Sequence, residues 1–141
     1  MKLLLDEIVD YNNYENDLIF FIDETGKDFR VKDILSYSKW VETHKDYPHI
    51  KVEGLENNPQ INADNKYSSI HLFVCNIAST SFKEHADDTN VYLQVLKGKK
   101  YISMNNNMLV VNENESINIP KGTMHKVDSD AGTIALSFGY E

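Results

Sequence analysis

A single cysteine, Cys75, among 141 residues excludes an internal disulfide and a zinc site built on cysteines. One buried thiol suits a reducing compartment, and the expectation is a cytoplasmic protein. Positive charge is also short: 14 Lys and Arg stand against 22 Asp and Glu, for a net charge of −8. Such a chain repels phosphate backbones unless a local patch reverses the average, so nucleic acid is not an expected partner. The densest basic cluster, Lys97, Lys99 and Lys100, is too small to do so. Long apolar runs are missing. The three leucines after Lys2 meet Asp6 and Glu7 at once, too early for a signal peptide or a membrane span. No solenoid-like repeat and no low-complexity tail is present. What remains is a chain with 41% hydrophobic residues and 11% aromatics, enough for one compact body with a filled core.

Two regions differ in pattern. Between Asp28 and His44, Val31, Ile34, Leu35, Ser38 and Val41 recur at helical spacing, which predicts one amphipathic helix capped by Asp28. Short β-prone runs flank it at Leu18 to Ile22 and Ile50 to Val52. The Asn- and Pro-containing stretch from Glu56 to Asn65 reads as a loop. It divides a helix-containing cover, residues 1–65, from a core, residues 66–141, within one compact domain. In the core, β-rich runs follow one another: Ser69 to Ile77, Val91 to Leu96, Lys100 to Met104, Met108 to Val111, Ser116 to Ile119 and Thr133 to Phe138. Short strands at such regular intervals predict a mainly β sandwich or barrel. Its strand edges, unless covered, favour a homodimer.

One constellation carries chemistry. His85 and Asp87 are two apart, so an extended chain turns both to one face. Pro120 and Gly122 form a tight turn after an apolar run and deliver His125 into the next strand. Two histidines and one carboxylate, with open positions left over, form the facial triad of non-haem Fe(II) oxygenases. His-x-Asp alone is common by chance, and taken by itself a solvated loop accounts for it better.

The surrounding residues add to this. After His85-Ala86-Asp87 come Val91-Tyr92-Leu93-Gln94-Val95-Leu96, then Gly98, 13 positions past His85, and Lys100, 15 past it. Glu115 to Ile119 precede Pro120-Lys121-Gly122-Thr123-Met124-His125, and Ser137-Phe138-Gly139 closes the series. Over about half the chain, from Ser69 to Gly139, this order resembles the JmjC-like and ribosomal-oxygenase branch of the cupin superfamily. The resemblance implies a double-stranded β-helix, Fe(II) held by His85, Asp87 and His125, and 2-oxoglutarate as co-substrate. It also implies that Lys100 meets the far carboxylate of 2-oxoglutarate. The implied activity is hydroxylation of a small molecule or a peptide or protein segment. Two departures stand out. His85 and His125 are only 40 positions apart, and Phe82 occupies a place where relatives often carry a polar residue. The commoner cupin order of His-x-His followed by Glu is not met, since Lys83 stands where its first histidine would be.

Other residues have plainer readings. His71, alternating with Phe73 and Cys75, reads as an interior or rim histidine, and Cys75 as a small buried hydrophobe. Tyr92 and Tyr101 suit barrel packing, and Gln94 suits either the pocket or the edge of the core. Glu84 and Asp88 are expected on the face opposite the ligands. Two other functions fit the same residues: a metal cupin of another class, such as an isomerase or a dioxygenase without 2-oxoglutarate, and a non-catalytic sugar-, peptide- or partner-binding module in which the triad is vestigial.

Overall fold

A computed structural model describes residues 19–22, 28–31, 49–57 and 62–141. The described strands are β1 (Ile19–Ile22), β2 (Asp28–Val31), β3 (His49–Val52), β4 (Ser69–Cys75), β5 (Ser79–His85) and β6 (Asn90–Lys97). They continue with β7 (Lys100–Met104), β8 (Asn107–Val111), β9 (Ser116–Ile119), β10 (His125–Ser129) and β11 (Thr133–Tyr140). Every pairing among them is antiparallel. A seven-stranded sheet runs β2-β1-β3-β4-β11-β6-β9, and a four-stranded sheet runs β5-β10-β7-β8. The mainly β barrel expected from the strand spacing is therefore present, with the cupin arrangement of two facing antiparallel sheets.

The expected helix begins in the wrong place. Asp28–Val31 is a strand, with Ile19 opposite Val31 and Ile22 opposite Asp28. Phe29 and Val31 also fit a period of two, and pairing with β1 outweighs the helical spacing at this end. The remainder of that predicted helix, residues 32–44, lies outside the described residues. Among the described residues, the only helix is a single 3-10 turn, Leu55–Asn57, and none is long and apolar enough to cross a membrane.

Alternation along the strands sorts the side chains. On β4, Ile70, Leu72 and Val74 pack away from the barrel interior and are nearly inaccessible, together with Val52 and Leu55. The other face of β4 carries Ser69, His71 and Phe73 into an internal cavity. Across the barrel, Leu93, Val95, Ile102, Val111, Ile119 and Ala135 form an apolar core. Leu93 and Ile119 of this core also line the cavity, so apolar and polar side chains share the interior. Tyr92 packs against Phe138, with ring centroids 5.8 Å apart, the Tyr101 hydroxyl donates to Asp130, and neither tyrosine lines the cavity. Gln94 is absent from the cavity wall, which β6 builds with Val91 and Leu93.

The β6–β7 turn illustrates how sequence controls the interior. Gly98 adopts φ +84°, a conformation that side chains resist. A Cβ here would stand 2.5 Å from Thr133 Oγ1 and 2.7 Å from its Cα. Thr133 cannot retreat easily, because Oγ1 accepts from the Lys99 amide and donates to the Lys99 carbonyl, both at 3.1 Å. Gly98→Ala is expected to cost about 1–3 kcal/mol of stability. Urea unfolding measures it, and an unchanged midpoint would show that the turn relaxes without strain.

Candidate metal centre

Three side chains converge where β5 ends and β10 begins. The last residue of β5 is His85 and the first of β10 is His125, and the two are register partners in the four-stranded sheet. Their rings lie 4.5 Å apart. Asp87 joins them from the β5–β6 connection, because β5 ends at His85. One continuous strand carrying both His85 and Asp87, as their spacing suggests, is therefore replaced by a strand end and a bend. The bend is held from the far side: the Gly122 amide, in the Pro120 turn, donates to the Asp87 carbonyl at 3.1 Å. That turn closes through Thr123 N–H to Pro120 C=O at 3.1 Å, and Gly122 has φ +81°. The sequence that places His125 thus also places Asp87.

The Asp87 carboxylate bridges both imidazoles. One oxygen is 3.4 Å from His85 Nε2 and the other 3.3 Å from His125 Nε2. On the far side of its ring, His125 Nδ1 donates to the Thr123 carbonyl at 2.8 Å, which fixes the ring and turns Nε2 inward. The hydrogen bond to His125 holds the Asp87 carboxyl below its usual range, against the effect of burial. The same bond raises His125, again against burial.

The donor set fits a divalent transition metal. The candidate ligand atoms lie within 4.8 Å of one another. An ion bound at about 2.1 Å needs neighbouring ligand atoms roughly 3 Å apart, close to the His–Asp separations seen. His125 is buried, whereas His85 and Asp87 are each about one-third exposed at 37% and 35%. A metal here would have three protein donors on one side and open positions toward the cavity.

That cavity has a volume of about 560 Å3, enough for a small organic molecule. Lys100 reaches it from β7 although the residue is only 4% exposed. Its Nζ donates to Ser129 Oγ at 3.0 Å and stands 5.8 Å from the centre of the Phe73 ring. Among the described residues no carboxylate lies within ion-pair distance of it. Burial pushes its pKa down to about 8. Lys51 also lines the cavity, with its ammonium 3.1 Å from Glu53. Glu84 and Asp88, expected on the other face, instead contribute exposed rim to the cavity, because the strand stops before Asp87.

His71 lines the cavity, in keeping with its reading as an interior or rim histidine, whereas Lys51 has no assignment from the sequence. Lys51 sits on a four-residue strand whose orientation depends on its pairing with β4, where it lies opposite Phe73. No local signal marks it.

Residues 42–138 match the family described as mannose-6-phosphate isomerase C-terminal. No curated protein matches the chain in sequence. Among solved structures, a conserved protein of unknown function from Streptococcus pyogenes is 19% identical, with a TM-score of 0.47 over 52% of this chain and 64% of that one. The chain therefore spans less than two thirds of that protein. A cupin superfamily protein from Desulfitobacterium hafniense DCB-2 is 12% identical, with a TM-score of 0.47 over 52% of this chain and 67% of that one. A protein of unknown function from Rhizobium leguminosarum bv. viciae 3841 is 11% identical, with a TM-score of 0.52 over 79% of this chain and 98% of that one; it shares the fold. With its family match running from residue 42 into the last strand, at residue 138, and antiparallel strands β3 to β11 within that span, the chain belongs to the mannose-6-phosphate isomerase C-terminal family of the cupin superfamily.

Proposed function

We propose that this protein is a metal-dependent cupin enzyme of the isomerase type, acting on a small sugar-like carbonyl compound that carries a phosphate or carboxylate. His85, Asp87 and His125 would hold the metal, and Lys100 would bind the anionic group. The observation that carries this reading is Lys100, a deeply buried cation in the same cavity as the triad with no carboxylate beside it among the described residues. A buried charge without a counter-ion is costly, and a ligand anion removes that cost while gaining a charge-assisted hydrogen bond. The family match favours sugar phosphates as the class to test.

When bound, a divalent ion polarises a substrate oxygen and serves as a template for its orientation. The chain's own part is to position the substrate. The fixed His125 ring, the bridging Asp87 and Lys100 define the ends of the binding site, while Val91, Leu93 and Ile119 provide an apolar wall.

A second reading keeps the same residues: an Fe(II)- and 2-oxoglutarate-dependent oxygenase of the JmjC-like type, with Lys100 on the far carboxylate of 2-oxoglutarate. It is favoured by the placement of Lys100 on β7, inside the cavity and 15 residues past His85. Calorimetry separates the two. Mn(II)-loaded protein titrated with mannose 6-phosphate and fructose 6-phosphate should show binding that Lys100→Met weakens. If Fe(II)-loaded protein under nitrogen instead binds 2-oxoglutarate and develops a visible chelate absorption, the oxygenase reading leads. Binding of neither class sinks both.

The Lys100 ammonium must be charged to serve, and its pKa is lowered to about 8. Anion affinity should therefore hold below pH 8 and fall about tenfold per pH unit above it. A bound anion favours the protonated form, so the fall continues up to the higher pKa of the complex and levels off beyond it. Sulfate, whose charge is constant over this window, is the suitable probe, and a flat profile to pH 10 would remove Lys100 from the anion site.

A further inference from the structure

We infer that His71 is the acid–base residue of this site, moving a proton between neighbouring carbons of a substrate that spans from the triad to Lys100. The inference rests on the anionic-sugar reading above and adds to it the group that performs the chemistry.

Its basis is position. His71 projects from β4 into the cavity. Toward the triad, the Asp87 carboxylate acts on it electrostatically. Toward Lys100, its ring meets Phe73 edge-on, with centroids 6.0 Å apart, and the face of Phe73 lies 5.8 Å from Lys100 Nζ. His71 therefore shares one cavity with the triad and with Lys100, and Phe73 lies next to both its ring and the lysine. A residue serving only to fill the core has no need of this place, since Ile70 and Leu72 on either side fill the core from the opposite face.

Its protonation state suits the role. Burial is the largest influence and lowers its pKa, and Lys51 acts in the same direction. Glu53, Glu56 and Asp87 oppose them without reversing the shift. Lys51 lies on β3, Glu53 and Glu56 follow that strand, and Asp87 comes from the β5–β6 connection. At neutral pH the ring is uncharged and has a lone pair to accept a proton.

The step conserves atoms and electrons. The C–H bond beside the substrate carbonyl breaks, its proton passes to the His71 ring nitrogen, and its electron pair forms the C=C bond of an enediol. The carbonyl π pair moves onto oxygen. That oxygen takes the proton of the neighbouring hydroxyl, whose own oxygen then forms the new C=O, and the C=C pair takes a proton from His71, the same one or one exchanged with solvent, at the former carbonyl carbon. No oxidant or reductant is required.

Proton NMR in D2O tests this. Mn(II)-loaded full-length protein is incubated with mannose 6-phosphate, fructose 6-phosphate or ribose 5-phosphate, the metal is then removed, and deuterium at the carbons next to the carbonyl is measured. Wild type should incorporate deuterium. His71→Asn should retain metal and sugar-phosphate affinity yet lose at least about a hundredfold in exchange rate. His71→Ala should regain part of the rate when imidazole is added, which also decides the matter if His71→Asn fails to fold. A His71→Asn rate within about threefold of wild type, or no exchange by a wild type that binds the sugar phosphate, overturns the role of His71 alone. A wild type that binds none of these probes overturns the anionic-sugar reading, and this inference with it.

Discussion

His125→Ala is expected to leave a folded barrel that retains no divalent metal after desalting. His125 is the best-fixed of the three candidate ligands: it is 3% exposed, begins β10, and has its Nδ1 tied to the Thr123 carbonyl. Its removal leaves His85 and Asp87 at the rim, two donors that water can replace. Loss of a hydrogen-bond partner behind a metal ligand costs roughly 10- to 100-fold in affinity, so loss of the ligand itself should cost more than about a hundredfold. Elemental analysis and calorimetry with Mn(II) or Fe(II) measure this. A stoichiometric metal content in His125→Ala would exclude the residue from the centre. The same geometry predicts weaker binding in acid, because the metal must displace the proton held between Asp87 and His125.

Lys100→Met is expected to make the protein more stable and less able to bind anions. Holding a buried lysine charged while its pKa falls from 10.5 to about 8 costs about 3 kcal/mol at neutral pH. Methionine has a similar length and carries no charge. The gain is reduced by the Ser129 hydroxyl, 3% exposed, which loses its donor partner at about 1 kcal/mol. A net increase of about 1–2 kcal/mol should remain. The pH dependence distinguishes this cause from better packing. Between pH 8 and 10.5 the unfolded wild type holds a proton that the native state has released, so wild-type stability rises with pH across that window. Lys100→Met should lack the contribution. Its anion affinity should fall by about tenfold to more than a hundredfold, the value of roughly 1.5–3 kcal/mol for a hydrogen bond to a charged group. Lys99→Ala, at an exposed position, should leave affinity nearly unchanged. Reduced stability in Lys100→Met with unaltered anion binding would make Lys100 a structural residue.

Both results would link the site to a conflict visible in the fold. Charge is maintained in an interior where neutral packing would be more stable, the usual mark of a residue retained for binding.

Much of the architecture was legible because antiparallel strands write their burial into alternate residues. The runs in β4, β6, β7 and β11 are recognisable for that reason, and Pro120 to His125 announces its turn through residues with restricted or permissive backbones. β5 was missed. Its sequence, STSFKEH, has no apolar alternation, and only its pairing with β10 makes it a strand. The start of the predicted helix failed for the reverse reason, since four residues of Asp28–Val31 satisfy two periodicities and a partner strand chooses between them.

By itself the sequence determined which donors exist and where the chain can turn: His85, Asp87, His125 and Lys100 are named by residue chemistry and by order along the chain. Only the tertiary structure decided that Asp87 leaves its strand, that Glu84 and Asp88 reach the cavity rim, and that Lys51 joins His71 on the cavity wall. The physical reason is the range of the interactions. Backbone restriction and alternation act over a few residues, whereas the Gly122–Asp87 hydrogen bond and the Phe73 bridge between His71 and Lys100 join segments about 30 residues apart. Their geometry exists only once the two sheets have closed around a common interior.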